Sequence, residues 1–106
     1  MVITITKDNY TAEIEQASKP VIIDVSASWC GPCQRMKPIF EQLARDLGHL
    51  YTFAEINVDE SHALAMKFGV TSVPSFIFVK DNEIKGKERG YMSADDLKAK
   101  IRTIFG

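Results

Sequence analysis

The sequence has very few cysteines, no long apolar run and no excess of charge of one sign. Its only cysteines are Cys30 and Cys33, which argues against the framework of several disulfides found in small secreted scaffolds. No apolar run approaches the roughly 18 residues that a membrane-spanning helix needs. Lys and Arg number 13 against 14 Asp and Glu, giving a formal net charge of −1. We therefore expect neither nucleic acid nor a membrane as a partner, because no strong positive field is available to attract them.

The length and the first twenty residues indicate a small protein without a targeting segment. A chain of 106 residues has room for one hydrophobic core, so we expect residues 1–106 to form a single domain. The first twenty residues contain Asp8, Glu13 and Glu15 and lack the apolar stretch of a secretory signal peptide. We expect a cytoplasmic location, with the alternative that an exported protein would look the same after its leader was cut.

The spacing of apolar residues predicts five strands and four helices. The strands are predicted over 2–6, 21–25, 51–58, 76–79 and 84–91, and the helices over 9–17, 32–47, 61–68 and from 94 onward. Val21 to Val25 is a nearly continuous β-branched run, typical of a strand buried on both faces. Pro38 should kink the second helix, and Asn82 suits the positive φ of a hairpin turn. The order of elements predicts an α/β fold in which helices cover both faces of a mixed sheet.

The pair Cys30 and Cys33 lies between a predicted buried strand and the start of a helix. The unpaired N–H groups and the positive end of the helix dipole favour the thiolate of Cys30 over the thiol, so Cys30 should be the nucleophile. Two intervening residues bring the second sulfur within bonding reach, and Cys33 should be the less exposed, resolving thiol. This arrangement predicts dithiol–disulfide exchange, in which Cys30 forms a mixed disulfide with a substrate and Cys33 then displaces the reduced product.

Two other roles for the cysteines are weaker. A structural zinc site needs four ligands, and the remaining soft ligands, His49 and His62, are not in a spaced motif with the cysteines. A structural disulfide that closes so short a loop would add little stability through loop entropy. We therefore predict no metal site and favour redox chemistry.

Several motifs together resemble the thioredoxin family from end to end. The most specific is W-C-G-P-C at 29–33, directly after the strand at 21–25. The resemblance continues through Pro38, N-V-D at 57–59, G-V-T-S-V-P at 69–74 and Gly90. It implies a thioredoxin fold, with a central mixed five-stranded sheet flanked by four helices, and general protein disulfide reductase activity.

The resemblance also implies partners. A thioredoxin reductase would reduce the chain with electrons from NADPH, and disulfide-containing client proteins would be its substrates. The chain itself would hold no cofactor beyond the redox-active disulfide Cys30–Cys33. We expect it to act as a monomer.

The resemblance assigns roles to further residues. Asp24 corresponds to a buried carboxylate beneath the disulfide that moves the proton when Cys33 attacks. An isolated Asp inside an apolar strand should have a raised pKa, which suits a base near neutral pH; the alternative is an Asp at a solvated strand edge. Pro74 should follow a cis peptide bond, leaving the Val73 backbone free to pair with an extended substrate. The docking surface would consist of Trp29, Gly31, Pro32, Val73, Pro74 and Gly90.

Three positions differ from the pattern common in bacterial thioredoxins. Ser26 stands where a second Trp is usual, and Gln34 replaces a Lys or Arg after the second cysteine. Glu55 occupies a position that is often Lys. If Glu55 approaches Asp24, repulsion between the carboxylates should raise the pKa of one of them; the alternative is that Glu55 points to water. These changes bear on the rate and the pH optimum of the reaction.

Two other functions are compatible with the same fold. An oxidase or isomerase is one, although those branches usually carry His at the position of Pro32, and Gly-Pro favours the reducing end of the scale. The other is a thioredoxin-fold binding subunit of a larger complex, whose cysteines regulate docking.

Overall fold

One mixed sheet of five strands forms the centre of the molecule. The structure, a computed structural model, describes residues 1–106. Its strands are β1 (Val2–Thr4), β2 (Val21–Ser26), β3 (Thr52–Asn57), β4 (Ser75–Lys80) and β5 (Glu83–Arg89). They lie in the order β1-β3-β2-β4-β5. β3 pairs parallel to β1 and β2, whereas β4 pairs antiparallel to β2 and β5. The predicted mixed five-stranded sheet is confirmed.

Three helical segments connect strands, and a fourth follows the last strand. They are a short π-helix (Thr11–Glu15), α1 (Gly31–Leu47), α2 (His62–Lys67) and α3 (Ala94–Phe105). The first segment is shorter than the helix predicted over 9–17, because the Gln16 N–H bonds to the Thr11 carbonyl, five residues back, rather than continuing an α-helix. Pro38 lies inside α1, and Gly48 caps its end. None of the helices has the length and hydrophobicity that a membrane span requires.

The alternation of β2 divides the core into two layers. Val21, Ile23 and Val25 face a cluster that includes the π-helix and α2, whereas Ile22 faces the cluster formed with α1 and α3. Because side chains alternate along a strand, Asp24 lies on the same face as Ile22, beneath α1. The central strand therefore carries one carboxylate directly below the helix that begins with the two cysteines.

A two-residue turn joins β4 to β5. Asp81 and Asn82 both have positive φ, at 53° and 60°, the conformation that matches the twist of the flanking strands. The positive φ predicted for Asn82 is confirmed. The antiparallel pairing of β4 with β2 places the start of β4, immediately after Pro74, beside the end of β2 and thus close to the cysteines.

Candidate active site

The two cysteines form a disulfide at the N-terminus of α1. Their Cα atoms are 5.2 Å apart. Cys30 is the N-cap residue, and its Sγ accepts a hydrogen bond of 3.2 Å from the Cys33 backbone N–H. Pro32 lies in the first turn, where its missing N–H would have no partner in the helix. The sequence folds this way because the β-branched strand ends at Ser26 and leaves a short turn before the helix.

The two sulfur-bearing residues open onto different cavities. Cys30, 6% exposed, lines a surface groove of about 610 Å³ that also includes Trp29, Met66 and Val73. Cys33, 3% exposed, instead lines a small polar cavity of about 70 Å³ that also includes Asp24. The disulfide therefore lies between a largely apolar groove and a smaller, partly enclosed polar cavity.

Most residues of the expected docking surface surround the groove. Trp29 is 72% exposed, so it lies on the surface beside the cysteines and not in the core. The Val73 carbonyl oxygen is 3.8 Å from the Cys30 Sγ, and the Val73–Pro74 peptide bond is cis. Gly31 and Pro32 also line the groove.

Pro74 and Gly90 are placed differently from the other four. Neither lines the groove, and Pro74 is buried. The Gly90 N–H donates a hydrogen bond of 2.8 Å to the Pro74 carbonyl. Gly90 has a φ of 92°, a conformation that glycine adopts without strain. Pro74 directly follows Val73 of the groove, and the hydrogen bond holds Gly90 beside Pro74.

Three side-chain hydrogen bonds hold the turn before Cys30. Asp59 accepts one from the Ser28 hydroxyl (3.2 Å) and one from the Trp29 indole N–H (3.3 Å). Gln34 donates from its amide to the Ser28 carbonyl (3.2 Å). Asp59 is not among the site residues expected from the sequence. Its position just beyond β3 indicates that it lies near the turn after β2, because the carboxyl ends of the parallel strands β2 and β3 meet at the same edge of the sheet.

Asp24 is buried beneath this turn. It is 4% exposed, and its Oδ1 has no hydrogen-bond partner in the protein. Burial, together with the charge of Glu55, raises the pKa of Asp24 to about 7, and the charge of Lys37 opposes this rise. The solvated strand edge, the alternative considered for Asp24, is therefore wrong.

Glu55 approaches Asp24 from the neighbouring strand. The two residues are in parallel register on β3 and β2, and both line the small polar cavity. Glu55 is half-buried and accepts a hydrogen bond of 3.1 Å from the Thr4 hydroxyl. The expectation that repulsion between these carboxylates raises a carboxyl pKa is confirmed for Asp24. Ser26 lines the same cavity.

Both histidines lie on the surface of the molecule. His62 is exposed at the edge of the groove, and His49 is exposed just beyond the C-terminal end of α1. No group of three or more His, Cys, Asp or Glu side chains is placed to hold a metal ion.

Comparisons with known proteins show which family the chain belongs to. The thioredoxin family model matches residues 1–103. Thioredoxin H4 of Arabidopsis thaliana is 38% identical over 99 residues, which cover 91% of this chain and 82% of that protein. Thioredoxin of Alicyclobacillus acidocaldarius is 34% identical over 102 residues, covering 96% of both chains. The disulfide at the start of α1, the sheet order and these matches agree: the chain belongs to the thioredoxin family and is a disulfide reductase with a redox-active Cys30–Cys33 pair.

Proposed function

We propose that Cys30 attacks the disulfide of a client protein, that Cys33 resolves the mixed disulfide, and that Asp24 accepts the Cys33 proton. This division of roles is supported by one observation: Cys30 and Cys33 line different cavities. Cys30 faces the groove that a client can enter, and Cys33 faces the cavity that contains Asp24.

The first step of the proposed reaction begins with the reduced protein. The Cys30 thiolate attacks one sulfur of the client disulfide, forming a new S–S bond while the client bond breaks and its other sulfur leaves as a thiolate. The Cys33 backbone N–H, 3.2 Å from the Cys30 sulfur, and the helix dipole both favour the thiolate. Thioredoxins are themselves a standard example of a cysteine activated in this way.

The groove supports docking of an extended client segment. Trp29 and Val73 flank the Cys30 end, and Met66 adds an exposed apolar side chain, 61% exposed. We assign the docking surface to Trp29, Gly31, Pro32, Val73, Pro74 and Gly90. Because the Val73 carbonyl is close to the Cys30 sulfur, main-chain pairing there would align a client disulfide with the nucleophile.

The second step needs a proton acceptor inside the molecule. Cys33 must lose its proton before its sulfur can attack the Cys30 sulfur, re-form the intramolecular disulfide and release the client thiolate. Asp24 shares the polar cavity with Cys33. Its pKa of about 7 allows the carboxylate to accept a proton near neutral pH, as a general base requires.

The setting of this activity is proposed from the family and the sequence. A thioredoxin reductase would return the Cys30–Cys33 disulfide to the dithiol with NADPH electrons, and disulfide-containing proteins would be the clients. We propose that residues 1–106 act as one monomeric domain. A cytoplasmic location fits a chain whose only cysteines are the redox pair.

Replacement of each cysteine by serine tests the two roles. Cys33→Ser should accumulate mixed disulfides between Cys30 and clients, because the resolving thiol is missing. Cys30→Ser, the matched control, should trap none and should lose turnover. Mass spectrometry of the adducts identifies the bonded cysteine. The assignment fails if Cys33→Ser retains multiple turnovers or if adducts form through Cys33 in the Cys30→Ser protein.

A further inference from the structure

Two cavities border Asp24, and the same two charged residues line both of them. The first is the small polar cavity that includes Cys33, and the second is a larger cavity of about 360 Å³ that extends towards β1. Glu55 from β3 and Lys37 from α1 line each cavity together with Asp24. Lys37 lies one helical turn beyond Cys33, on the same side of α1.

We propose that Glu55 and Lys37 are positioning residues that tune, in opposite directions, the proton transfer between Cys33 and Asp24. The inference rests on the proposed role of Asp24 as the base. The negative charge of Glu55 opposes ionisation of Asp24, so the Asp24 carboxylate that accepts the proton forms only at higher pH. Lys37 favours the carboxylate and acts in the other direction.

Among the groups around Asp24, only Glu55 and Lys37 are charged residues that line both cavities. On β4, Phe76 pairs with Asp24 and carries no charge. The larger cavity has four further lining residues besides Phe40: Met1 with the amino terminus, Val2, Glu41 and Arg45. None of those four reaches the cavity shared with Cys33, where Cys33 itself is the only other titratable group. The charges that perturb the pKa of Asp24 are those of Glu55 and Lys37.

The two residues differ in their contact with solvent. Glu55 is half-buried and is held by the Thr4 hydroxyl, whereas Lys37 is exposed. Salt screens an exposed charge far more than a buried one. The influence of Lys37 on Asp24 should therefore weaken at high ionic strength, while that of Glu55 should largely persist.

The test uses Glu55→Gln, Lys37→Gln and the double variant in the full chain. The carbon-13 shift of the Asp24 carboxyl is followed against pH in the oxidised protein, in which the cysteines do not titrate. Stopped-flow mixing of the reduced protein with a chromogenic aromatic disulfide gives the rates. One coloured thiolate is released when Cys30 attacks, and a second is released when Cys33 resolves the mixed disulfide.

We expect opposite displacements of both pH profiles. Glu55→Gln should lower the Asp24 midpoint, and the midpoint of the second kinetic phase, by about half a pH unit or more. Lys37→Gln should raise both midpoints, and less so at high salt. The double variant should lie close to the wild type. Glu41→Gln and Arg45→Gln are matched controls, because they change the same charges on the wall of the larger cavity alone.

Each outcome separates the inference from the function on which it rests. Midpoints that move no more than in the controls would overturn the inference, as would a carboxyl midpoint that moves while the second kinetic phase does not. Asp24→Asn is the reference: if it slows the second phase, the proposed role of Asp24 stands whatever Glu55 and Lys37 do. If Asp24→Asn leaves the rate and its pH profile unchanged, the role of Asp24 fails and the inference fails with it.

Discussion

Replacing Asp24 by Asn should stabilise the protein at neutral and alkaline pH and leave its stability nearly unchanged in acid. The carboxyl is 4% exposed, and its Oδ1 has no hydrogen-bond partner in the protein. The native state therefore favours the protonated form, and ionisation of Asp24 costs stability. Asn has nearly the same shape and no charge, so it removes the cost of ionisation.

The size and the pH range of this effect follow from the pKa of Asp24. Well below pH 3.8, the ordinary pKa of an Asp carboxyl, Asp24 is protonated in both the folded and the unfolded state and costs no stability. Between 3.8 and about 7 the unfolded chain has lost the proton and the folded protein retains it, so the wild type loses stability as pH rises. Above that range the loss is complete. A shift of this size, at about 1.4 kcal/mol per pKa unit, corresponds to about 4 kcal/mol.

Denaturant unfolding of the oxidised wild-type and Asp24→Asn proteins across this pH range measures the effect. In the difference between their two free energies of unfolding, the contributions of all titrating groups that Asp24 does not perturb cancel. We expect the difference to grow from near zero in acid to several kcal/mol above pH 7, on the scale of the pKa shift. A difference that is constant with pH would refute the reasoning, because Asp24 would then ionise alike in both states.

Two further substitutions test the redox centre and the core. Pro32→His should make the protein a stronger oxidant, because an imidazolium near the start of α1 would stabilise the Cys30 thiolate. The redox potential, measured in equilibrium with glutathione, should rise; a rise of about 30 mV corresponds to about 1.4 kcal/mol. An unchanged or more negative potential would contradict this account. Phe40 is 2% exposed, with ring centroids 5.3 Å from Phe53 and 6.1 Å from Phe76. Phe40→Ala should therefore lower the free energy of unfolding by about 3–5 kcal/mol in urea titrations, and a loss below about 1 kcal/mol would mean that the site refills.

Much of the fold could be predicted because burial leaves a pattern in the sequence. The β-branched run at 21–25 belongs to the central strand β2, which has β3 on one side and β4 on the other. The π-helix could not be distinguished from an α-helix in advance. The spacing of Tyr10 and Ile14, both buried, shows which side faces the core, but it does not show whether the backbone bonds span four residues or five.

The active site was predictable where neighbours in sequence form it and less so where the sheet brings distant residues together. Cys30 and Cys33 are three positions apart, and their bonding needs only the first turn of a helix. The contacts of Asp59 with the turn and of Lys37 with the Asp24 cavity depend on strand register and helix orientation. A single sequence does not specify either, so it does not indicate a role for Asp59 or Lys37.

Reductase-coupled turnover of a test protein disulfide examines the central claim most directly. The wild-type chain, mixed with a thioredoxin reductase and NADPH, should consume NADPH continuously while the test disulfide is reduced, because the Cys30–Cys33 disulfide is regenerated in each cycle. Cys30→Ser should abolish this consumption. Absence of turnover in the wild type, or turnover that survives Cys30→Ser, would contradict the account.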